Sequence, residues 1–292
     1  MRDTIQKIRK ASYNGVDFSI PILSSTTGYY FSTQDIQPLQ VSAYNALQRT
    51  TLAELNMVWN FKRFQKPRMP VTTGMVADQA RFVEPSGLRI LDLPVKFPGT
   101  NYRIPHECRQ FVEVIMQIVN CEVTINPLTD LFYAYLTVDQ DPVKKGFTQR
   151  KPGLHVDGFQ GVRIQPKLPI DHSYIVSDRY PTVFYTHGFD VEHLDESAHN
   201  FFLEFDEQAQ EEITWKPQPF QICLINAYQV HRSDYAIKNS DRTFVRLSYT
   251  LRQFDRLGNT HNPLFDYDWE MVPRDMQATL IKFSPTKEIC HV

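Results

Sequence analysis

The feature of the sequence that most constrains the fold is a series of short strand-like segments between residues 130 and 255. Turn residues separate the segments, which cover residues 131–138, 153–157, 174–177, 182–186, 220–226, 229–234 and 242–252. Such a series is typical of a sandwich or a jelly roll and argues against alternating βαβ units. We therefore expect a mainly β protein.

The first part of the chain has a different pattern, in which helices and loops are expected. Ser42 can cap a helix that runs through Leu55 to Val58, and a second helix is expected to begin after Pro105. A chain of 292 residues suits one large domain. We predict N-terminal helices and loops over residues 1–129, a β core over residues 130–255 and a C-terminal extension over residues 256–292.

One insertion interrupts the strand-like series. Residues 190–212 carry many carboxylates and neither lysine nor arginine. We interpret this segment as a solvated helix that turns Phe201, Phe202, Leu203 and Phe205 inward. The alternative is a lid over a site, facing a cationic substrate.

Charge and cysteine content limit the partners and the compartment. Lysine and arginine number 31 against 33 aspartates and glutamates, so no chain-wide basic field exists and neither duplex nucleic acid nor a membrane is an expected partner. The four cysteines form no CxxC pair, which excludes a zinc ribbon. The first residues lack the apolar run of a signal peptide. We expect a cytoplasmic protein; oligomeric state has no signal in the sequence.

The clearest candidate for chemistry is the segment from Gly153 to Gly158. On an extended strand, His155 and Asp157 point to the same side, so both can ligate one metal ion. A histidine and an aspartate at this spacing are common in proteins, so the pair by itself is weak evidence for a metal site. His231, on a later predicted strand, completes a set of two imidazoles and one carboxylate, which leaves coordination positions open and suits ferrous iron better than structural zinc.

The segment 242–252 contributes a second candidate group. Arg242, Arg246 and Ser248 share one face of the predicted strand, and apolar side chains occupy the other. A guanidinium can bind a carboxylate through two parallel hydrogen bonds, and a hydroxyl can add a third. Alternatively, this face is the solvent-exposed side of an ordinary amphipathic strand.

The HVD segment, the distal VHR and the RTFVRLS strand together resemble the Fe(II)- and 2-oxoglutarate-dependent oxygenase superfamily, over roughly residues 130–255. The resemblance implies a double-stranded β-helix (jelly roll) core buttressed by N-terminal helices. It implies that His155, Asp157 and His231 bind Fe(II) and that Arg242 or Arg246 anchors the distal carboxylate of 2-oxoglutarate. Arg242, eleven positions after His231, is slightly favoured. Arg246 begins an Arg-x-Ser in which Ser248 adds a bond, or it binds an anionic group of the substrate.

Other residues have weaker claims on the site. The resemblance makes Tyr135 a candidate second donor to 2-oxoglutarate, although simple packing accounts for it equally well. Gln149 and Arg150 precede the HVD segment and are candidates to border the substrate. His187 ends a predicted strand and is the alternative metal ligand to examine.

The resemblance implies an enzyme that hydroxylates a small molecule, such as an amino acid, a peptide or a natural-product intermediate, with O2 as co-substrate and ascorbate as a candidate reductant. Desaturation and ring formation remain open. Two other classes are also open. One is a metal-binding jelly roll of the cupin type that does not use 2-oxoglutarate; the other is a non-catalytic interaction domain with residues 190–212 as its binding surface.

Overall fold

The computed structural model describes residues 7–13, 16–23, 25–33, 43–157, 168–195 and 199–271, with backbone alone for 7–13 and 16–22. These residues form β1 (Lys7–Tyr13), β2 (Val16–Ile22), β3 (Gly28–Phe31), β4 (Val71–Met75), β5 (Arg89–Lys96), β6 (Tyr102–Pro105), β7 (Tyr133–Val143), β8 (His172–Ser177), β9 (Val183–Tyr185), β10 (Thr214–Trp215), β11 (Gln221–Asn226), β12 (His231–Arg232) and β13 (Ser240–Thr250). The helices are α1 (Ala46–Ala53), α2 (Gln79–Phe82), α3 (Val112–Ile125) and α4 (Phe201–Gln208), with 3-10 turns at Phe61–Gln65, His106–Phe111 and Thr129–Leu131. The described part of the chain is therefore mainly β with a few helices, as predicted.

The strands form two larger sheets and two antiparallel pairs. The larger sheet has six strands in the order β4-β11-β8-β13-β7-β5, and every neighbouring pair is antiparallel. The smaller sheet has the order β10-β9-β12, also antiparallel. The separate pairs are β1 with β2 and β3 with β6.

The two faces of β13 show how the larger sheet is covered. Val245, Leu247 and Tyr249 point to one face and are fully buried in the main hydrophobic core, which includes the inward stripe of α3. Phe244 points to the opposite face and packs with Phe184 of β9, so the smaller sheet lies over this second face. The alternation read from the sequence is thus correct, and the face that carries the arginines is the one between the two sheets.

The helices begin and end differently from the expectation. α1 begins after Asn45, whose side chain accepts from the N–H of Gln48 while the Gln48 side chain accepts from the Asn45 N–H. This capping box, and not Ser42, fixes the helix start; Ser42 lies outside the described residues. The helix ends at Ala53 and does not reach Val58, because Asn56 has a left-handed φ of 64°. The helix expected after Pro105 is present, as a 3-10 turn that continues into α3.

The prediction of helices and loops over residues 1–129 missed six strands. β4 and β5 extend the larger sheet at its two edges, so this part of the chain contributes to the sheet and does not only buttress it. In the insertion, α4 forms as interpreted, with Phe201 and Phe205 buried and Phe202 half-buried. The extension over residues 256–292 is described as far as 271, and no described helix is long and apolar enough to cross a bilayer.

Candidate metal site

Two histidines from distant segments lie opposite each other across one pair of backbone hydrogen bonds. The N–H of His155 donates to the carbonyl of His231, and the N–H of His231 donates to the carbonyl of His155, both at 2.9 Å. The strand expected at 153–157 is thus reduced to a single bridge, and the one expected at 229–234 to the two residues of β12. Side chains of directly paired residues project from the same face, and the two imidazole centroids are 4.4 Å apart.

Asp157 completes a compact group with these imidazoles. One ligand atom each from His155, Asp157 and His231 lies within 4.8 Å of the others. In the described part of the chain, no other three His, Cys, Asp or Glu side chains meet in this way. The three residues that the sequence singled out as metal ligands are therefore brought together, by a bridge between segments more than seventy residues apart.

Backbone carbonyls set the tautomer of both rings. Nδ1 of His155 is 2.7 Å from the carbonyl of Gly153, and Nδ1 of His231 is 2.8 Å from that of Gln229. Because a carbonyl oxygen only accepts, Nδ1 of each ring must carry the proton. The lone pair then lies on Nε2 of each ring, which is the arrangement that a metal-binding histidine needs.

Burial keeps both imidazoles uncharged. It lowers the pKa of His155 to about 3, with the neighbouring His231 adding to the effect. Burial also lowers the pKa of His231, against the opposing influence of Asp157. Neutral imidazoles are the form that binds a metal ion, so neither ring must first lose a charge at neutral pH.

Asp157 is held ionised by a guanidinium. Burial alone would raise the pKa of Asp157, but the guanidiniums of Arg246 and Arg150 lower it well below its usual value. Nη1 of Arg246 lies 3.0 Å from Oδ1 of Asp157, and Nη2 lies 3.0 Å from Oδ1 of Asp92. The site thus offers two neutral nitrogen donors and one carboxylate, a donor set that fits a divalent transition metal such as iron.

A cavity of about 590 Å³ opens beside Asp157. Its lining combines carboxylates, guanidiniums and other polar groups with a few apolar side chains: Asp92, Tyr133, Asp157, Leu168, Asp171, Ser173, Arg246, Ser248, Leu251, Arg252, Gln253, Phe254, Asp255, Arg256 and Asn259. This volume is in the range of pockets for small molecules.

Of the residues that were predicted to bind the co-substrate 2-oxoglutarate, Arg246 and Ser248 line this cavity. Both lie on β13 and face the space between the sheets. The hydroxyl of Ser248 accepts a hydrogen bond of 2.9 Å from Ser173 on the neighbouring strand β8. A guanidinium and a hydroxyl therefore lie together in the cavity wall. This placement excludes the alternative that the polar face of β13 is simply exposed to solvent.

Arg242 is placed elsewhere. It is buried, and it donates from Nε to the carbonyl of Arg179 at 2.9 Å, from Nη2 to the carbonyl of Tyr180 at 3.1 Å, and from Nη1 to the side chain of Gln149. Gln149 in turn donates to the carbonyl of Arg242 at 2.9 Å. Arg242 is absent from the cavity lining, and its guanidinium ties the start of β13 to two loops.

Tyr135 and His187 are also engaged by other parts of the protein. The hydroxyl of Tyr135 donates to the carbonyl of Arg252 and accepts from the N–H of Phe254, so it supports the cavity wall from behind. Nε2 of His187 is 3.2 Å from the carbonyl of Gln208, and the ring is 4.4 Å from that of Phe189. His187 does not belong to the cluster of His155, Asp157 and His231.

Sequence reasoning missed five charged residues of the cavity lining, which are Asp92, Asp171, Arg252, Asp255 and Arg256. Asp171 pairs with Arg252 across the cavity wall, and Asp92 pairs with Arg246. Asp92 had one visible signal, because it is an acidic residue between Leu91 and Leu93 in an otherwise apolar segment. Asp171 and Arg252 had none that separates them from ordinary surface charges.

Distant likenesses to solved structures include the following two. One is to the non-heme monooxygenase ThoJ in a nickel complex, with a TM-score of 0.30 and 12% identity, covering 58% of this chain and 64% of that one. The other is to AviO1 from Streptomyces viridochromogenes Tue57, with a TM-score of 0.36 and 10% identity, covering 71% of this chain and 96% of that one. No protein-family model and no curated protein matches the sequence. Both TM-scores are low, so an assignment of function depends on the site itself.

Proposed function

We propose that the protein is a non-haem Fe(II)- and 2-oxoglutarate-dependent oxygenase that hydroxylates a small polar molecule. The observation that carries the proposal is the convergence of His155, Asp157 and His231 at the side of a charged cavity. Two neutral imidazoles and one carboxylate are the donor set of non-haem iron oxygenases, and they leave coordination positions open. The chain would act as a single oxygenase domain.

The order of the strands supports a jelly-roll core over residues 130–255. Four consecutive strands of the larger sheet, β7-β13-β8-β11, face a smaller sheet in which the His155 bridge extends the order β12-β9-β10. Along the chain, the segments alternate between the two sheets except at β9 and β10, which follow each other in the smaller sheet, and with the His155 segment they make the eight strands of a jelly roll. In that architecture, the two histidines lie on neighbouring strands at the mouth between the sheets.

In the proposed site, His155 and His231 hold the metal through Nε2 and Asp157 holds it through a carboxylate oxygen. When bound, ferrous iron would supply the redox chemistry with O2 that amino-acid side chains lack. The protein's own contribution is preorganisation. The carbonyls of Gly153 and Gln229 fix the ring tautomers, and Arg246 contacts the carboxylate, so the protonation states of all three ligands are set before a metal binds.

We assign the anchoring of the distal 2-oxoglutarate carboxylate to Arg246 with Ser248. Both line the cavity beside Asp157, whereas the guanidinium of Arg242 donates its hydrogen bonds to Arg179, Tyr180 and Gln149. Each Nη of Arg246 has a second N–H besides the one that contacts an aspartate. Two carboxylates already share this guanidinium, so a third must approach from the cavity side.

The cavity wall suggests the substrate class. Beyond Arg246, the lining carries Arg252 and Arg256 together with Asp171 and Asp255. Charges of both signs favour a polar substrate that offers both donors and acceptors, such as an amino acid or a small peptide, over a long apolar chain.

The decisive experiment is an assay of succinate formation. The protein is supplied with Fe(II), 2-oxoglutarate, ascorbate and air, with His231→Ala as the matched inactive control. We expect 2-oxoglutarate to be converted to succinate slowly without a substrate, and faster when the right small molecule is added. Metal binding without succinate would favour the cupin-type alternative. Absence of metal binding would favour the interaction domain.

A further inference from the structure

Asp92, Thr137 and Arg246 stand in one row across three neighbouring strands. Thr137 of β7 is paired directly with Arg246 of β13. On its other side, Thr137 lies opposite a bulge of β5, because the register shifts between Ile90 and Leu93. Asp92 occupies that bulge, so its side chain reaches over Thr137 to the guanidinium.

The conformation of Asp92 is strained and specific. Its φ is 45°, a left-handed value that a residue other than glycine adopts rarely and at some cost in energy. Thr137 Oγ1 accepts from the N–H of Asp92 at 3.2 Å and donates to its Oδ1 at 3.0 Å. The C-terminal segment also holds the bulge, since the N–H of Thr260 donates to the carbonyl of Leu91 at 2.7 Å. Several parts of the protein therefore keep a carboxylate aimed into the cavity.

Arg246 depends on this carboxylate for its orientation. Its Nη1 contacts Asp157 and its Nη2 contacts Asp92, each at 3.0 Å. Its Nε is buried and has no hydrogen-bond partner within the described ranges. The two aspartates are thus the contacts that define the plane of the guanidinium.

We propose that Asp92 is a positioning residue for the metal site, acting through Arg246 on Asp157. This inference rests on the proposed metal site. With Arg246 held by Asp92, the guanidinium binds Oδ1 of Asp157 and leaves Oδ2 as the ligand atom. Asp92 also supplies a negative charge that balances Arg246, so the arginine repels an incoming divalent cation less strongly.

The test is an anaerobic titration of the purified full-length protein with Co(II), whose visible absorption reports the number and geometry of its ligands. Asp92→Asn removes the charge and keeps a side chain that tolerates a left-handed φ. We expect it to bind Co(II) about 10- to 100-fold more weakly, with an altered visible spectrum. Circular dichroism of the metal-free variant establishes that it is folded at the temperature of the titration.

The matched control is Asp141→Asn, which makes the same chemical change on β7 in an aspartate that pairs with exposed Arg89 at 2.8 Å. It is expected to bind Co(II) like the wild type. Wild-type affinity and spectrum in Asp92→Asn would overturn the role of Asp92, and so would an equal loss in Asp141→Asn. Failure of the wild type itself to bind Co(II) would instead overturn the proposed metal site.

A second pair of variants decides the question if Asp92→Asn does not fold. Thr137→Val keeps the size of the side chain and removes the hydroxyl that orients Asp92, whereas Thr137→Ser keeps the hydroxyl. We expect weaker Co(II) binding in Thr137→Val and recovery in Thr137→Ser. Equal affinities in these two variants would contradict the proposal.

Discussion

The ring of Tyr135 stacks on that of Phe254 with centroids 4.3 Å apart, and its hydroxyl accepts the backbone N–H of the same residue. Tyr135 is fully buried on β7, whereas Phe254 follows β13 and lines the cavity. One side chain therefore fixes both the ring and the backbone of the segment that forms the cavity wall. The hydroxyl that would donate to 2-oxoglutarate is the same one that holds Arg252 and Phe254 in the cavity wall, so the two roles of Tyr135 are alternatives.

Tyr135→Phe separates the two roles. It keeps the stacked ring and leaves the N–H of Phe254 and the carbonyl of Arg252 without their partner, so we expect a loss of about 1 to 3 kcal/mol in the free energy of unfolding. Metal affinity and the KM for 2-oxoglutarate should stay near wild type. Urea denaturation and succinate kinetics provide the measurements; unchanged stability with a raised KM would favour the direct donor.

The meeting of the three candidate metal ligands was predictable because it depends on local geometry and on one long-range pairing. Alternation along an extended segment places His155 and Asp157 on one side whatever the rest of the fold does. His231 was chosen as a histidine on a later predicted strand, and the backbone bridge with His155 is what brings it to the same point. The apolar and polar faces of β13 followed from the same alternation.

Asp92 could not be placed from the sequence, because its role depends on a bulge and on a partner 154 residues away. A bulge shifts which side chain faces the cavity, and a two-residue period cannot predict that shift. Arg242 shows the same limit. Its spacing from His231 matched the resemblance, but loop carbonyls that no pattern reveals occupy its guanidinium.

The missed N-terminal strands had a readable signal in one case. Asn14-Gly15 separates β1 from β2, and these strands pair with Tyr13 opposite Val16. An Asn-Gly pair between two strand-like segments is the strongest short-range sign of a hairpin. Asn14 and Gly15 themselves lie outside the described residues, so the structure shows the pairing of the two strands alone.

His231→Ala is expected to abolish metal binding and succinate formation while the protein remains folded. The imidazole makes one side-chain hydrogen bond, to the carbonyl of Gln229, whereas the bridge to His155 uses backbone atoms that alanine retains. Metal content after reconstitution and far-ultraviolet circular dichroism are the measurements. His187→Ala is the matched control and should retain the metal; loss of metal in that variant would revive His187 as a ligand.

The free energy of unfolding of the metal-free protein should fall as the pH is lowered below about 6.5, the ordinary pKa of histidine. Burial lowers the pKa of His155 to about 3 and also lowers that of His231. Below pH 6.5 the histidines of the unfolded chain bind protons that the buried histidines of the folded protein do not. The free energy of unfolding therefore decreases with decreasing pH, by at most roughly 1.4 kcal/mol per pH unit for each imidazole. This part of the stability is present in full above pH 6.5.

The measurement for this prediction is urea denaturation between pH 5 and pH 7 of the wild type and of a variant with His155→Gln and His231→Gln. The variant lacks both groups, so its stability should fall less steeply than that of the wild type over this range. Parallel curves for the two proteins would show that the imidazoles are not held neutral by the fold.

Arg246 and Arg242 should respond differently to replacement by methionine. Arg246→Met removes the guanidinium from the cavity and from Asp157, so we expect a KM for 2-oxoglutarate raised at least tenfold, together with weaker metal binding. Arg242→Met instead leaves the carbonyls of Arg179 and Tyr180 without donors, which should lower the free energy of unfolding by roughly 2 kcal/mol or more. Its KM, measured on folded protein below its thermal transition, should stay near wild type because the side chain is absent from the cavity lining. If the KM rises in Arg242→Met and not in Arg246→Met, the anchor is Arg242, and the carbonyls that it contacts must release it when 2-oxoglutarate binds.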